Sequence, residues 1–184
     1  MTAAPRPPTE ERLWRRALAY AERYGGTAAS LRRVLLRRAL RDAGALGLDP
    51  GPVQAAVERV VARARDARLV DDSAFAEARA RRLVGRGTAP GRIAGRLAGK
   101  GVGAETAGAA LDRLGAELGD LALRAAVALA RRRRLGPWRP APARPEHRQR
   151  DLAVLARAGF EWPVATAVID AADPEALEAR LAEG

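Results

Sequence analysis

The sequence predicts an all-α protein built from three tandem three-helix repeats stacked in an array. Three observations predict this. Nearly every segment after residue 8 carries the 3.6-residue apolar period of a helix, and none alternates convincingly with period two. Glycines and prolines fall where helices would stop and start. Apolar landmarks also recur at matched offsets. Leu48, Val102 and Phe160 each open the third helix of a trio. From each landmark the same positions are apolar: Val53, Ala107 and Ala165, then Ala56, Ala110 and Val168, then Val57, Leu111 and Ile169. A single three-helix unit is too small to bury much surface, so neighbouring units should stack.

The elements follow in order. Residues 1–9 are small and Pro-rich and read as a disordered tail. The first repeat spans 10–67. Its first helix runs from about Glu10 to Tyr24 with Leu13, Trp14, Ala17, Leu18 and Ala21 on one face, and Gly25-Gly26 stops it. Thr27 suits the cap of a second helix that buries Leu31, Val34 and Leu35 and exposes Arg32, Arg33, Arg37 and Arg41. Leu35 lies thirteen residues before Leu48, whereas Leu97 and Leu155 lie five before their landmarks, which implies an eight-residue insertion around 44–51. The third helix buries Val53, Ala56, Val57, Val60, Val61 and Ala64.

The second repeat spans 68–116. Ala76, Ala80, Leu83 and Val84 form a stripe beside Phe75, and Gly85 and Gly87 end that helix. Thr88 reads as the next cap and Pro90 as an early helix position. Ile93, Ala94, Leu97 and Ala98 form the following stripe, closed by Gly99-Lys100-Gly101. The third repeat spans 117–172 and opens with Leu118, Leu121, Ala122, Ala125, Ala128 and Leu129. A Pro/Arg-rich connector at 136–145 precedes a helix with Leu152, Leu155 and Ala156, closed by Gly159-Phe160, and a last core helix begins at Pro163. A short helix or tail occupies 173–184.

Composition narrows the function classes. The chain has 184 residues, 48% hydrophobic but only 4% aromatic, so alanine, leucine and valine should fill thin helix-on-helix cores. The large side chains Trp14, Phe75, Trp138, Phe160 and Trp162 are then expected to anchor them. The formal net charge is +11, which suggests an anionic partner. Lys100 is the sole lysine among 33 basic residues, and arginine supplies the planar, bidentate donors suited to phosphate and carboxylate. The absence of cysteine excludes disulfides, thiolate metal sites and a cysteine nucleophile. The N-terminus MTAAPRPPTEER has no apolar core of signal-peptide length, and no segment approaches the length of an apolar membrane span. The expectation is a soluble, cytoplasmic monomer with no membrane partner and no cofactor.

No constellation reads as catalytic or metal-binding. Asp71-Asp72 stands at a helix start, where acids accept backbone N–H bonds and favour the dipole, by roughly 0.5–2 kcal/mol for a cap. His147, the only histidine, lacks the partners of a triad or zinc site and reads as solvated. The segment Gly85 to Gly91 lacks the GxxxxGK[ST] pattern of a phosphate loop and reads as a helix stop and start.

Two basic features stand out. Gly91, Gly95 and Gly99 recur every four residues, as do Arg92, Arg96 and Lys100. On one helix they form adjacent stripes opposite Ile93 and Leu97. Such a bare strip beside a cationic one suits close approach of an acidic partner, while small residues tolerated on a solvated face are the simpler reading. The second feature is the run Arg131, Arg132, Arg133 and Arg134. Residues 131–150 hold eight arginines and one glutamate, whereas 151–184 hold two arginines and seven acids. Trp138 in the connector offers a face to a nucleic-acid base, or pins the connector to the core, the simpler role.

Residues 69–102, LVDDSAFAEARARRLVGRGTAPGRIAGRLAGKGV, join D-D-x-x-F-A to G-x-G-x-x-P-x-x-I-x-x-x-L-x-x-K-G-V. With ALAYAERYGGTAASLRRVLLRRA upstream and RDLAVLARAGFEWPVATAVI downstream, the chain resembles the RecX family across about residues 12–172. These are small all-α regulators of the bacterial recombinase RecA. The resemblance implies a curved chain lying in the helical groove of the RecA–DNA filament, lowering RecA's ATPase, strand exchange and stimulation of repressor self-cleavage, with no catalysis of its own. It departs from the family pattern in the glycine stripe, in Arg157-Ala158-Gly159, in the 44–51 insertion and in the long connector. The expected contacts with RecA, and with DNA phosphates of single or double strands, are Arg82, Arg86, Arg92, Arg96, Lys100 and Arg131 to Arg134. Asp71, Asp72, Phe75, Ile93, Leu97 and Gly101 are expected to be structural. The competing reading is a basic helical DNA- or RNA-binding protein without RecA specificity. A helical scaffold charged only for solubility stands third.

Overall fold

The computed structural model describes residues 6–183. Among them are ten α-helices, two short 3-10 turns and no strand. The helices are α1 (Glu10–Tyr24), α2 (Ala28–Ala45), α3 (Pro50–Asp66), α4 (Asp72–Gly85), α5 (Pro90–Ala98), α6 (Ala104–Leu118), α7 (Leu121–Arg133), α8 (Arg144–Arg157), α9 (Trp162–Ile169) and α10 (Pro174–Glu183). The order repeats a three-helix pattern, α1–α3, α4–α6 and α7–α9. By packing, the chain divides into two compact units: residues up to Phe75 with 100–102, and the remainder.

The first unit is built on α1, α2 and α3. Leu13 and Ala17 from α1, Leu31 and Leu35 from α2, and Val57 and Ala64 from α3 are fully buried in one cluster. Gly25 takes the left-handed conformation (φ 49°) that ends α1, and its N–H reaches the Ala21 carbonyl. Thr27 caps α2 as expected, accepting the Ser30 N–H at 3.1 Å. It also donates its hydroxyl to the Lys100 carbonyl at 2.6 Å, and it is fully buried. Asp71 caps α4 by accepting from the N–H groups of Ser73 and Ala74. Asp72 has a different task. Its carboxylate accepts the Ala28 N–H at 2.8 Å, so it closes the N-terminus of α2 rather than its own helix. At Gly101 (φ 81°) a Cβ would stand 2.2 Å from that of Ala29.

Several sequence expectations change. The inserted residues near 44–51 are only half a turn: 44–45 extend the eighteen-residue α2, 50–51 open α3, and 46–49 alone lie between them. Two additional helical turns accommodate the length, and Leu48 in the remaining gap is 43% exposed, unlike its buried counterparts Val102 and Phe160. Leu118 ends α6 and does not open the third trio, because Gly119 turns the chain (φ 75°) and Asp120 caps α7 through the Leu123 N–H. Thr88 makes no cap, and Ala89 holds that position at α5. Trp162 is exposed, so it is no anchor. Phe75, Trp14 and Trp138 are half-buried, and Arg63 lies over the Trp14 ring. Of the expected tail, residues 1–5 lie outside the described residues, while Pro8 is buried.

In the second unit α4 and α6 are tied by Arg81–Glu117 and Arg113–Glu77 pairs. The hydrogen bond and charge of Arg81 hold the Glu117 carboxyl below the usual range. Ile93 and Leu97 are fully buried, as expected of the inner face of α5. The connector is folded, not slack. Residues 136–138 and 141–143 form 3-10 turns, and α8 reaches back to Arg144, placing His147 half-buried on a helix. Gly136 must be glycine, since at φ 52° its Cβ would lie 2.8 Å from the Ile169 backbone.

Asp151 fastens this connector. It is 1% exposed, and it accepts the Gly136 N–H at 2.9 Å and two bonds from Arg139 at 2.7 and 2.8 Å. Burial pushes its carboxyl up, but the bonds from Arg139 and Gly136 outweigh that and hold it below the usual range.

Two predictions follow from these contacts. Thr27→Val removes the cap and the bond to Lys100, and should lower stability by about 1–2 kcal/mol in urea denaturation. Asp151 has a depressed folded pKa, so its stabilisation is complete above the unfolded value of about 3.9 and is lost as pH falls through the folded one. Asp151→Asn should therefore lower the unfolding free energy at neutral pH by about 1–3 kcal/mol in urea denaturation, and should flatten the acid limb of the stability profile.

Candidate functional site: an arginine cleft

A cleft of about 400 Å³ opens in the second unit where α5, α7, the α4–α5 turn and the end of α8 meet. Its walls carry Arg86, Arg92, Arg96, Arg132, Arg133 and Arg157, with Thr88, Leu129 and Val154, and no carboxylate. The sequence placed these arginines in three separate segments. Helix α5 presents Arg92 and Arg96 because Ile93 and Leu97 turn inward, and α7 presents Arg132 and Arg133 because Leu129 and Ala130 do so.

Two contacts set the geometry. Arg92 donates to the carbonyl of Arg157, and Arg132 donates to the carbonyl of Arg86. The guanidinium of each thus reaches across the cleft to a turn on another element. Both turns depend on glycine. At Gly87 (φ 75°) a Cβ would stand 2.7 Å from the Leu129 Cβ and backbone nitrogen. At Gly159 (φ 92°) a Cβ would stand 2.8 Å from the Arg92 Nε. Like charges ~8 Å apart near a protein surface repel by about 2 kcal/mol before salt screens them. An unneutralised cluster is therefore unfavourable alone and receptive to a polyanion.

The structure brings together Arg86, Arg92, Arg96, Arg132 and Arg133 among the expected contact residues. It leaves four aside. Arg82 is exposed on α4 away from the cleft. Arg131 does not line the cleft and stands 4.0 Å from Glu178. Arg134 takes the left-handed conformation beyond α7 (φ 54°). Lys100 lies beyond the end of α5, in the turn grouped with the first unit, so it does not extend the Arg92–Arg96 stripe as a helical position. Arg157 is the residue that sequence reasoning missed as a contact, having registered only as a departure from the family pattern. Gly91 and Gly95 face open space, so no packing demand explains their lack of a side chain. No group of metal-ligating side chains occurs among the described residues. Among the described residues, no helix is long and apolar enough to cross a membrane.

Comparison with known proteins decides the family. A curated relative named regulatory protein RecX, from Myxococcus xanthus, is 41% identical over 155 residues, covering 84% of this chain and 82% of its own length. The chain belongs to the RecX family. A second regulatory protein RecX, from Agrobacterium fabrum, is 33% identical over 150 residues, covering 82% of this chain and 77% of that protein. The family model for the RecX second three-helix domain matches residues 71–111, which span α4, α5 and the first half of α6. A crystal structure of regulatory protein RecX shares the fold, with a TM-score of 0.58 at 22% identity, covering 88% of this chain and 72% of that one. The RecX match at 71–111 contains one wall of the cleft, with Arg86, Arg92 and Arg96.

The cleft's geometry makes one substitution diagnostic. Gly87→Ala forces a left-handed backbone on alanine and drives its Cβ into Leu129. It should cost about 1–3 kcal/mol, and hydrogen exchange should show the loss concentrated in α5 and its turn.

Proposed function

We propose that this chain is a non-enzymatic regulator that binds the RecA–DNA filament in the cytoplasm and lowers RecA's ATPase, strand exchange and co-protease activity. The observation that carries the reading is the 41% identity to a regulatory protein RecX across 84% of the chain. The arginine cleft supports it by supplying a cationic surface on the repeat that the family model matches. Arg86, Arg92, Arg96, Arg132, Arg133 and Arg157 form the proposed contact face. Arg82, Arg131, Arg134 and Lys100 are outlying contacts. The chain acts as a monomer, its basic faces bridging neighbouring RecA subunits and touching DNA phosphates.

A second reading has its own support. A cleft with six arginines and no carboxylate also suits a nucleic-acid-binding protein without RecA specificity. Such binding would need no RecA and would weaken steeply with salt, because phosphate contacts release counterions.

Titration into RecA on single-stranded DNA, following ATP turnover at two salt concentrations, separates the two. The filament reading expects inhibition well below the concentration that coats the DNA. Arg92→Glu with Arg96→Glu and Arg132→Glu should raise the half-inhibiting concentration more than about tenfold, equivalent to 1.4 kcal/mol, with helical content intact. Unchanged inhibition by the folded variant would remove the cleft from the mechanism.

A further inference from the structure

The cleft arginines differ from others in the chain in what holds them. Arg32, Arg81, Arg113, Arg139 and Arg148 each meet a carboxylate at hydrogen-bond distance. Among the described residues, none of Arg86, Arg92, Arg96, Arg132, Arg133 and Arg157 forms an ion pair. Arg92 and Arg132 are oriented instead by the backbone carbonyls of Arg157 and Arg86. A carbonyl fixes the direction of a guanidinium without cancelling its charge. Each guanidinium has five N–H donors and uses one here, which leaves donors for a ligand.

We propose that this cleft binds a compact chain of linked phosphates, such as inorganic tripolyphosphate or the triphosphate of a nucleotide, gripped between Arg92 and Arg132. Its volume of about 400 Å³ falls in the usual range of small-ligand sites, about 300–1,000 Å³. A lone carboxylate brings one charge to six cations, whereas linked phosphates bring several charges close together. Their oxygens also accept the bidentate pairs that arginine forms. The apolar lining is thin, chiefly Leu129 and Val154, so the phosphates and not a base carry the affinity. The ligand would occupy the face assigned above to the filament, yet its binding to the isolated chain requires no RecA.

Calorimetric titration of the purified chain tests this with four probes in ~0.15 M salt: tripolyphosphate, ATP, orthophosphate and a short oligothymidylate. Tripolyphosphate and ATP should bind one per chain with affinities within about threefold, and orthophosphate should bind at least about tenfold more weakly. Arg92→Gln with Arg132→Gln should weaken both by at least about tenfold. Arg96→Gln with Arg133→Gln, which removes no bond within the described residues, should also weaken both and provides a second variant should the first not fold. Arg37→Gln with Arg41→Gln removes equal charge from the exposed face of α2 and should leave binding unchanged. Absent or multisite tripolyphosphate binding, or equal loss in the α2 variant, would overturn the proposal. So would oligothymidylate binding that tripolyphosphate cannot displace, which would assign the cleft to a strand. A chain that binds tripolyphosphate yet leaves RecA untouched would sustain this proposal while overturning the filament reading.

Discussion

Asp151 is a buried carboxylate that answers three donors, and the second unit's functional geometry is arranged around it. Its bonds to Gly136 and Arg139 fold the connector back on α8. Arg144 then reaches the carbonyls of Arg139, Pro137 and Ala172, extending the fastening to the segment beyond α9. Because α7 leads into this connector and α8 leaves it, the network fixes where the end of α7 stands against the end of α8. Those two ends supply half of the arginine cleft. A slack connector of ten Pro- and Arg-rich residues would leave the same side chains without a common site.

The cleft illustrates two ways to fix an arginine. Carboxylate partners hold Arg81 and Arg148 and neutralise them locally, which suits crosslinks between helices. Surface pairs of this kind contribute little stability, about 0–1 kcal/mol each, but they do remove charge from the surface field. Carbonyl partners hold Arg92 and Arg132 and leave their charge to act outward. The chain's net positive charge is therefore distributed by partner choice as much as by composition. Where α4 meets α6 it is cancelled, and where α5 meets α7 it remains.

Much of the fold was legible because helical period and cap chemistry are local. Thr27 and Asp71 cap helices, and Ile93 and Leu97 are buried on the inner face of α5. Illegible were features that depend on which elements meet. Asp72 resembles any first-turn acid, but its partner is the N-terminus of α2, forty-four residues away. The extra residues of the first repeat contain glycine and proline, yet the N1 preference of Pro50 and the capping by Asp49 start α3 there and leave only 46–49 outside a helix. At the site, the sequence offered a stripe on one helix and a run on another. Neither announced that Arg157 would stand between them, nor that Lys100 would fall outside the helix whose spacing it continues.

Helix α5 has nine residues, two glycines inside it and a third just past its end. Isolated helices this short are marginal in water, and each interior glycine lowers helix stability by about 1 kcal/mol relative to alanine. Its order is borrowed: from Ile93 and Leu97 in the core, and from Arg92 clasping the turn beyond α8. One wall of the cleft is thus an element with little intrinsic reason to persist. A partner that engages α5 therefore meets a wall held in shape by the protein's core and by one arginine clasp, not by the helix's own propensity.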